Sequence, residues 1–190
     1  MNTTYNIITN DAVRVCAFVA ANYLKSTIPA GVRGSVDVHD GHFYEQECAV
    51  THVERDKDGQ SIACFAVTRE GEIATLIKKP GASMPSTELM QMAINNGGRW
   101  LYCLDTPVLR DLYTSMAFVR VACVPWDSAL APANWDTDRY GKPCIAFYVD
   151  RDFLREDAVR CPGKLMFPTW ESAKSFAPPL HERLIRQLKS

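Results

Sequence analysis

Three small residues in a row, Gly81-Ala-Ser83, stand between an apolar run, Ile73-Ala-Thr-Leu-Ile77, and a segment of helical periodicity. Free backbone N–H groups at a helix start carry the positive end of the helix dipole. A loop that aims several of them at one point can hold a pyrophosphate. Close approach of the anion requires residues without a bulky side chain, and Gly81, Ala82 and Ser83 meet that requirement. The same residues also fit a generic strand-to-helix turn, with Pro85 near the helix start and Ser83 or Ser86 as its cap. A second group lies downstream, where Trp126, Trp135 and Tyr140 stand among Asp127, Asp136 and Asp138. Aromatic faces and carboxylates together suit a cationic amine, and they equally suit a self-packed surface loop. Glu72, His52 and Asp105 are side chains able to take a proton from an amine, and spacing does not choose among them. Cys103 or Cys123 with a histidine would make a thiol nucleophile, but both lie in apolar strand patterns, where a thiol is buried and unreactive. No C-x-x-C pair exists, and no histidine has a cysteine at ligand spacing, so no metal site is expected.

The elements that must carry these residues follow from periodicity and turn chemistry. A helix from Asn10 or Asp11 to about Lys25 would place Val13, Cys16, Ala20 and Leu24 on one face. Pro29 to Gly34 reads as a loop. Glu47 to Arg55 and Ser61 to Thr68 read as a hairpin around Asp56-Lys-Asp-Gly59, and the turn Arg69-Glu-Gly71 leads into the strand at Ile73. After the loop at Gly81 come a helix from Glu88 to Asn96 closed by Gly97-Gly98, and a strand, Trp100-Leu-Tyr-Cys-Leu104. Thr106-Pro107 opens a second helix, with Val108, Leu112 and Met116 as its apolar stripe. Val119 to Val124 and Cys144 to Val149 are further strands.

The order strand, phosphate-type loop, helix, strand, helix, strand over Glu72 to Asp127 resembles the cofactor half of the GNAT-type N-acetyltransferases, which bind acetyl-CoA and acylate amines. The family signature is Arg or Gln, two residues, Gly, one residue, then Gly or Ala. Here Lys78-Lys-Pro-Gly-Ala-Ser83 fills that register, with Lys first, Ser last, and the bulkier Met84-Pro85 following. Leu112-Tyr113-Thr-Ser-Met-Ala-Phe118 resembles the signature Leu-Tyr, three residues, Gly-Phe, with Ala117 in the glycine position. Thr106 stands where many relatives have an asparagine that contacts the cofactor. The resemblance implies that Leu76, Ile77, Lys78, Gly81, Ala82, Ser83, Thr106 and Tyr113 hold acetyl-CoA. It makes Tyr113 the general acid for the departing thiolate, a role that suits a phenol whose ordinary pKa of roughly 10 keeps it protonated. Glu72, at the start of the strand before the loop, is the catalytic partner this reading carries.

The implied fold is α/β, a mixed and mostly antiparallel central sheet with helices on both faces, and a splay beyond the strands at Ile77 and Trp100 that admits CoA. The implied activity is acetyl-CoA-dependent N-acyl transfer to an amine, either a small molecule or a protein lysine or N-terminus. The departures at Lys78, Ser83, Thr106 and Ala117 point to an alternative, a catalytically degraded protein of the same fold that binds a macromolecular partner. Val124-Pro-Trp-Asp127, Trp135-Asp136 and Gly141-Lys-Pro143 also resemble phage-associated GNAT-like proteins, which would make that alternative a phage-encoded modulator of a host factor.

Composition bounds the rest. The chain has 190 residues, 47% of them apolar, enough to bury a good core. Residues 1–150 are expected to form the acyl-CoA domain and 151–190 an extension that packs on the domain or on a partner, with an oligomer formed through its last helix, Leu180 to Lys189. A net charge of -1, with 21 basic and 22 acidic residues, argues against a sequence-independent nucleic-acid surface. No apolar stretch approaches a membrane span, and the first residues do not read as a secretory signal. Seven cysteines without close pairs fit reduced thiols in the cytoplasm.

Overall fold

The computed structural model describes residues 11–129, 131–132, 134–156 and 165–166. Contacts divide the chain into two units, one built on residues 1–29 and 36–98, the other on residues 30–35 and 99–190.

The first unit begins with α1 (Asp11–Thr27), whose buried side chains are Ala17, Ala20, Ala21 and Leu24. Ala20 and Leu24 are buried as expected, whereas Cys16 is exposed and Ala17 and Ala21 are buried instead. A short helix that periodicity does not reveal, α3 (Gly41–Gln46), follows after residues that belong to the other unit. Asp40 caps it by accepting from the Phe43 N–H at 2.9 Å, and Tyr44 anchors it in the core. Strands β1 (Cys48–Arg55), β2 (Ser61–Thr68) and β3 (Ile73–Lys78) form an antiparallel sheet in sequence order. In the first turn, Asp56 Oδ1 accepts from the N–H groups of Asp58 and Gln60, and Gly59 supplies a φ of +77°. The central strand β2 is buried almost throughout because α1 and α4 (Ser86–Asn95) both pack on it. On the α1 side, Leu24, Tyr44, Cys64, Ala66 and Ile77 form one core cluster. Helix α4 starts two residues earlier than expected, and its cap is Pro85, which makes no side-chain bond to the helix. Neither Ser83 nor Ser86 caps it.

In the second unit the sheet order is β4-β6-β5-β7, formed by β4 (Trp100–Leu104), β5 (Phe118–Val124), β6 (Ile145–Asp150) and the short β7 (Leu165–Met166). All pairings are antiparallel except β5 with β7, where Ala122 and Cys123 lie beside Leu165 and Met166. Val121, Val124, Phe147 and Val149 centre its core. Helix α5 (Pro107–Ser115) packs on β5, and α7 (Arg151–Glu156) on β6. Thr106 caps α5 as expected, its Oγ1 accepting from the Leu109 N–H at 3.4 Å. The buried side chain of α5 is Tyr113, whereas Val108 is 77% exposed, so the stripe Val108, Leu112, Met116 is not the buried face. Beyond the helix, Ala117 adopts a φ of +64°, the left-handed conformation a glycine takes without strain. The segment read as a loop at Pro29 to Gly34 contains α2 (Ala30–Arg33), and α6 (Thr137–Tyr140) interrupts the loop before β6.

The architecture is therefore the expected α/β class with mostly antiparallel strands, its ladders forming two hydrogen-bonded sheets. The final helix expected at Leu180 to Lys189, and the extension's apolar positions from Phe167 on, lie outside the described residues.

Candidate functional site

The turn after β3, in the first unit, is one candidate site. Lys79 N–H donates to the Ile62 carbonyl and ends the ladder, and Ala82 N–H donates to the Lys79 carbonyl at 3.1 Å, closing a tight turn. Gly81 in that turn has a φ of +78°, with nothing within 4 Å of the place a Cβ would occupy. Glycine is thus required there by backbone conformation, and the space beside it is open. The Ala82 amide is engaged inside the turn, so the three consecutive amides expected to face an anion are not all free. The N-terminus of α4, four residues on, has no side-chain cap, which leaves first-turn amides and the helix dipole for an outside acceptor. Two lysines flank the turn. Lys78 Nζ donates back to the Ala82 carbonyl at 3.4 Å. Lys79 Nζ reaches Gln60 Oε1 at 3.4 Å and stands 6.0 Å over the Tyr23 ring.

The strand leading to the turn alternates. Ile73, Thr75 and Ile77 are buried, while Ala74, Leu76 and Lys78 are half-buried. The Ile77 side chain belongs to the core and its backbone groups face Cys64 of β2 in the ladder, so Ile77 has neither to offer a ligand, whereas Leu76 and Lys78 turn their backbone groups to the other edge. Among the described residues β3 pairs with β2 alone, and its other edge presents unpaired backbone groups. Glu72 precedes β3, its N–H donating to Thr68 Oγ1 at 3.0 Å and its carbonyl accepting from the Thr68 N–H. It therefore lies at the far end of the strand from the turn, about 20 Å away at some 3.3 Å per residue.

In the second unit a separate cluster gathers around Asp105, between β4 and α5. Its side chain is 2% exposed. It accepts from Arg110 Nε at 3.1 Å and Nη2 at 3.0 Å, from Arg120 Nη1 at 2.5 Å and from the Tyr148 hydroxyl at 2.7 Å. Burial alone would push this carboxyl up, but Arg110, Tyr148 and Arg120 together hold it below the ordinary carboxylate range. A carboxylate so engaged is a poor base, and Asp105 is removed from the candidates for that role. Tyr113 packs its ring on Tyr148, 5.3 Å between centroids. Burial raises the Tyr113 phenol well above its ordinary value, so it stays protonated through neutral pH. Arg110, Arg120 and Tyr148 were not legible as partners of Asp105. Arg110, on the helix that Asp105 precedes, was the available hint.

A third cluster lies in the loop before β6. Trp126, Trp135 and Tyr140 stack in series, with centroids 5.8 Å and 5.5 Å apart. Trp135 Nε1 donates to the Gly141 carbonyl, and Arg139 lies over Tyr140 at 5.3 Å. Trp126 Nε1 is buried without a hydrogen-bond partner among the described residues. Asp136 N–H donates to the Gly31 carbonyl, which ties this loop to α2. The remaining candidates are occupied or inert. His52 pairs with Glu54 at 3.3 Å, and burial pushes the Cys103 thiol up to about 12, which rules it out as a neutral-pH nucleophile.

No protein-family profile matches the chain, and no curated protein matches it by sequence. Solved structures do. Naa20 of Chaetomium thermophilum, in complex with a bisubstrate analogue, is 13% identical, with a TM-score of 0.51 over 78% of this chain and 93% of that one. A ribosomal-protein-alanine N-acetyltransferase from Brucella melitensis is 11% identical, with a TM-score of 0.44 over 74% and 94%. The GNAT family N-acetyltransferase YhbS of Escherichia coli, in complex with CoA, is 14% identical, with a TM-score of 0.37 over 80% and 87%. The chain has the GNAT-type N-acetyltransferase fold.

Proposed function

We propose that this chain is an acetyl-CoA-dependent N-acyltransferase that acts on an amine, either a small molecule or a protein lysine or N-terminus. One observation carries the reading: an apolar edge strand runs into a left-handed glycine turn and then into a helix without a side-chain cap. Those features suit the two chemically distinct parts of CoA. A pyrophosphate needs amides, a helix dipole and cations, which Ser83, the first turn of α4 and Lys78 can offer. An extended pantetheine arm needs unpaired backbone groups, which the other edge of β3 at Leu76 and Lys78 can offer, with Ile77 between them holding the strand to β2. Open space at Gly81 leaves room for the anion. Thr106 Oγ1 already accepts from its own helix, so its hydroxyl proton is what it has to give a ligand.

Acetyl-CoA would supply the acyl group as an activated thioester. In this reading the amine nitrogen bonds to the acyl carbon, the carbon–sulfur bond breaks, and Tyr113 gives its phenolic proton to sulfur. Its raised pKa makes it a reluctant donor to a thiolate in water. It becomes an adequate one when the thiolate forms in equally dry surroundings, where the thiolate's own basicity is raised. Glu72 accepts the proton that the amine must lose, through water given its place at the start of β3. The Trp126, Trp135, Tyr140 loop, with Asp127, Asp136 and Asp138, would hold a cationic acceptor, and Arg139 over Tyr140 is a cation already seated on one of its rings. Free cysteines among the described residues, and no described helix long and apolar enough to cross a membrane, are compatible with work in the cytoplasm, which is part of the same proposal.

The test has two steps. Acetyl-CoA should raise the unfolding midpoint of the protein, as any ligand of the native state alone must, while free adenosine should not. Thiol release in the presence of candidate amines should then fall by about 10²-fold in Tyr113→Phe, with acetyl-CoA affinity little changed. An unmoved midpoint at saturating acetyl-CoA would remove the cofactor, and with it the activity.

A further inference from the structure

We propose that Asp105 is a positioning residue that fixes the direction of the Tyr113 phenol through a closed ring of contacts; this rests on the acyl-transfer reading above. The ring starts at Asp105, whose two carboxylate oxygens take the Arg110 Nε and Nη2 fork. Arg110 sits one helical turn before Tyr113 on α5, so the fork sets the rotation of that helix. The Tyr113 ring lies against the Tyr148 ring at 5.3 Å and 50°. The Tyr148 hydroxyl then donates to Asp105 Oδ1 at 2.7 Å and closes the ring. Arg120 from β5 and the Asp105 N–H, which donates to the Cys144 carbonyl at 2.8 Å, hold the carboxylate itself in place. Stability alone does not account for the arrangement, because the desolvation of the buried Asp105 carboxylate offsets much of what its partly exposed arginine partners contribute. What the ring supplies is a single orientation. Tyr113 and Tyr148 are each buried to within a few per cent, and a phenol at that depth cannot find its direction from solvent.

The test uses the full chain carrying Asp105→Asn, Tyr113→Phe, and both. Asparagine keeps the shape but puts an amide N–H₂ where a guanidinium or the Tyr148 hydroxyl must donate. Asp105→Asn should lower kcat by about tenfold or more, keep KM for acetyl-CoA within about twofold, and cost nothing further in the Tyr113→Phe background. An equal loss in both backgrounds would make Asp105 merely structural and overturn the proposal. A second readout is independent of activity. With labelled tyrosine, the Tyr113 and Tyr148 ring resonances should move in Asp105→Asn while that of Tyr44, in the other unit, stays. An unmoved Tyr113 resonance overturns the positioning role. A moved resonance combined with undiminished kcat in Tyr113→Phe would leave the positioning standing and remove the acid role instead. If Asp105→Asn does not fold, Tyr148→Phe cuts the same ring at one bond, and the same non-additivity and resonance shift are expected of it.

Discussion

Gly98→Ala isolates how tightly α4 is seated on β3. A Cβ at this position would lie 2.6 Å from Ile73 Cγ1, 2.8 Å from Ile73 Cδ1 and 2.9 Å from the Ala93 carbonyl oxygen. None of these atoms gives way cheaply. Ile73 is 6% exposed, so its side chain cannot swing into solvent. The Ala93 carbonyl closes the last turn of α4 by accepting from the Gly98 N–H at 3.0 Å. Overpacking of this kind costs about 1–3 kcal/mol. For a chain of this length that is roughly 2–12 °C of unfolding midpoint. The neighbouring Gly97 differs in kind: its φ is +94° and nothing lies within 4 Å of an added Cβ. Gly97→Ala should therefore lose only the conformational strain, about 1–2 kcal/mol. Urea unfolding of both variants, each alone and with Ile73→Ala, separates the causes. Trimming Ile73 removes both close carbons, so Gly98→Ala should cost less in that background than in wild type, whereas the cost of Gly97→Ala should not change. Strict additivity of Gly98→Ala with Ile73→Ala would refute the steric account.

Gly81→Glu puts bulk and negative charge into the open space of the turn after β3, and calorimetry should show acetyl-CoA binding lost while the stability without ligand falls by only about 1–2 kcal/mol of left-handed strain. Ala117→Gly should stabilise the chain, because relief of about 1–2 kcal/mol of strain exceeds the entropic cost of glycine, about 0.5–1 kcal/mol. A thermal scan should register a rise of a few degrees at most. Asp105 sets an acid limit: its folded-state pKa lies below the unfolded value, so its contribution is complete above the ordinary carboxylate range and is lost as pH falls through the depressed folded value. Stability measured from neutral pH into the acid range should therefore drop below about pH 4, and Asp105→Asn should flatten that limb.

The parts of the fold legible in the sequence were those set by local rules. Asp56 to Gly59 carries its own turn chemistry, and Thr106-Pro107 its own cap, so hairpin and helix start were both placed from a few residues. Helix α3 escaped because six residues give too little periodicity, and only the Asp40 cap marked it. The stripe of α5 was misplaced because Leu112 and Tyr113 are neighbours. In a helix of nine residues either can head an apolar face, and the choice belongs to what the helix packs on. Asp105 stands among the candidate bases in the sequence because its partner Tyr148 lies 43 residues away, beyond the reach of any spacing rule.

The departures from the family signature take on a different weight once the backbone is known. Glycine in the Leu-Tyr motif is a backbone requirement, and Ala117 satisfies it in the left-handed conformation at some cost in strain. Gly81 is retained, and its φ of +78° gives the reason. Lysine in place of arginine at position 78 keeps the positive charge, with a shorter reach that here ends on the Ala82 carbonyl. None of these three positions loses the backbone conformation or the charge that the resemblance calls for, so they do not by themselves favour a protein that only binds over one that catalyses. That choice falls on Tyr113, the side chain to which the reading gives a proton-transfer step, and on whether the ring through Asp105, Arg110 and Tyr148 is there to aim it.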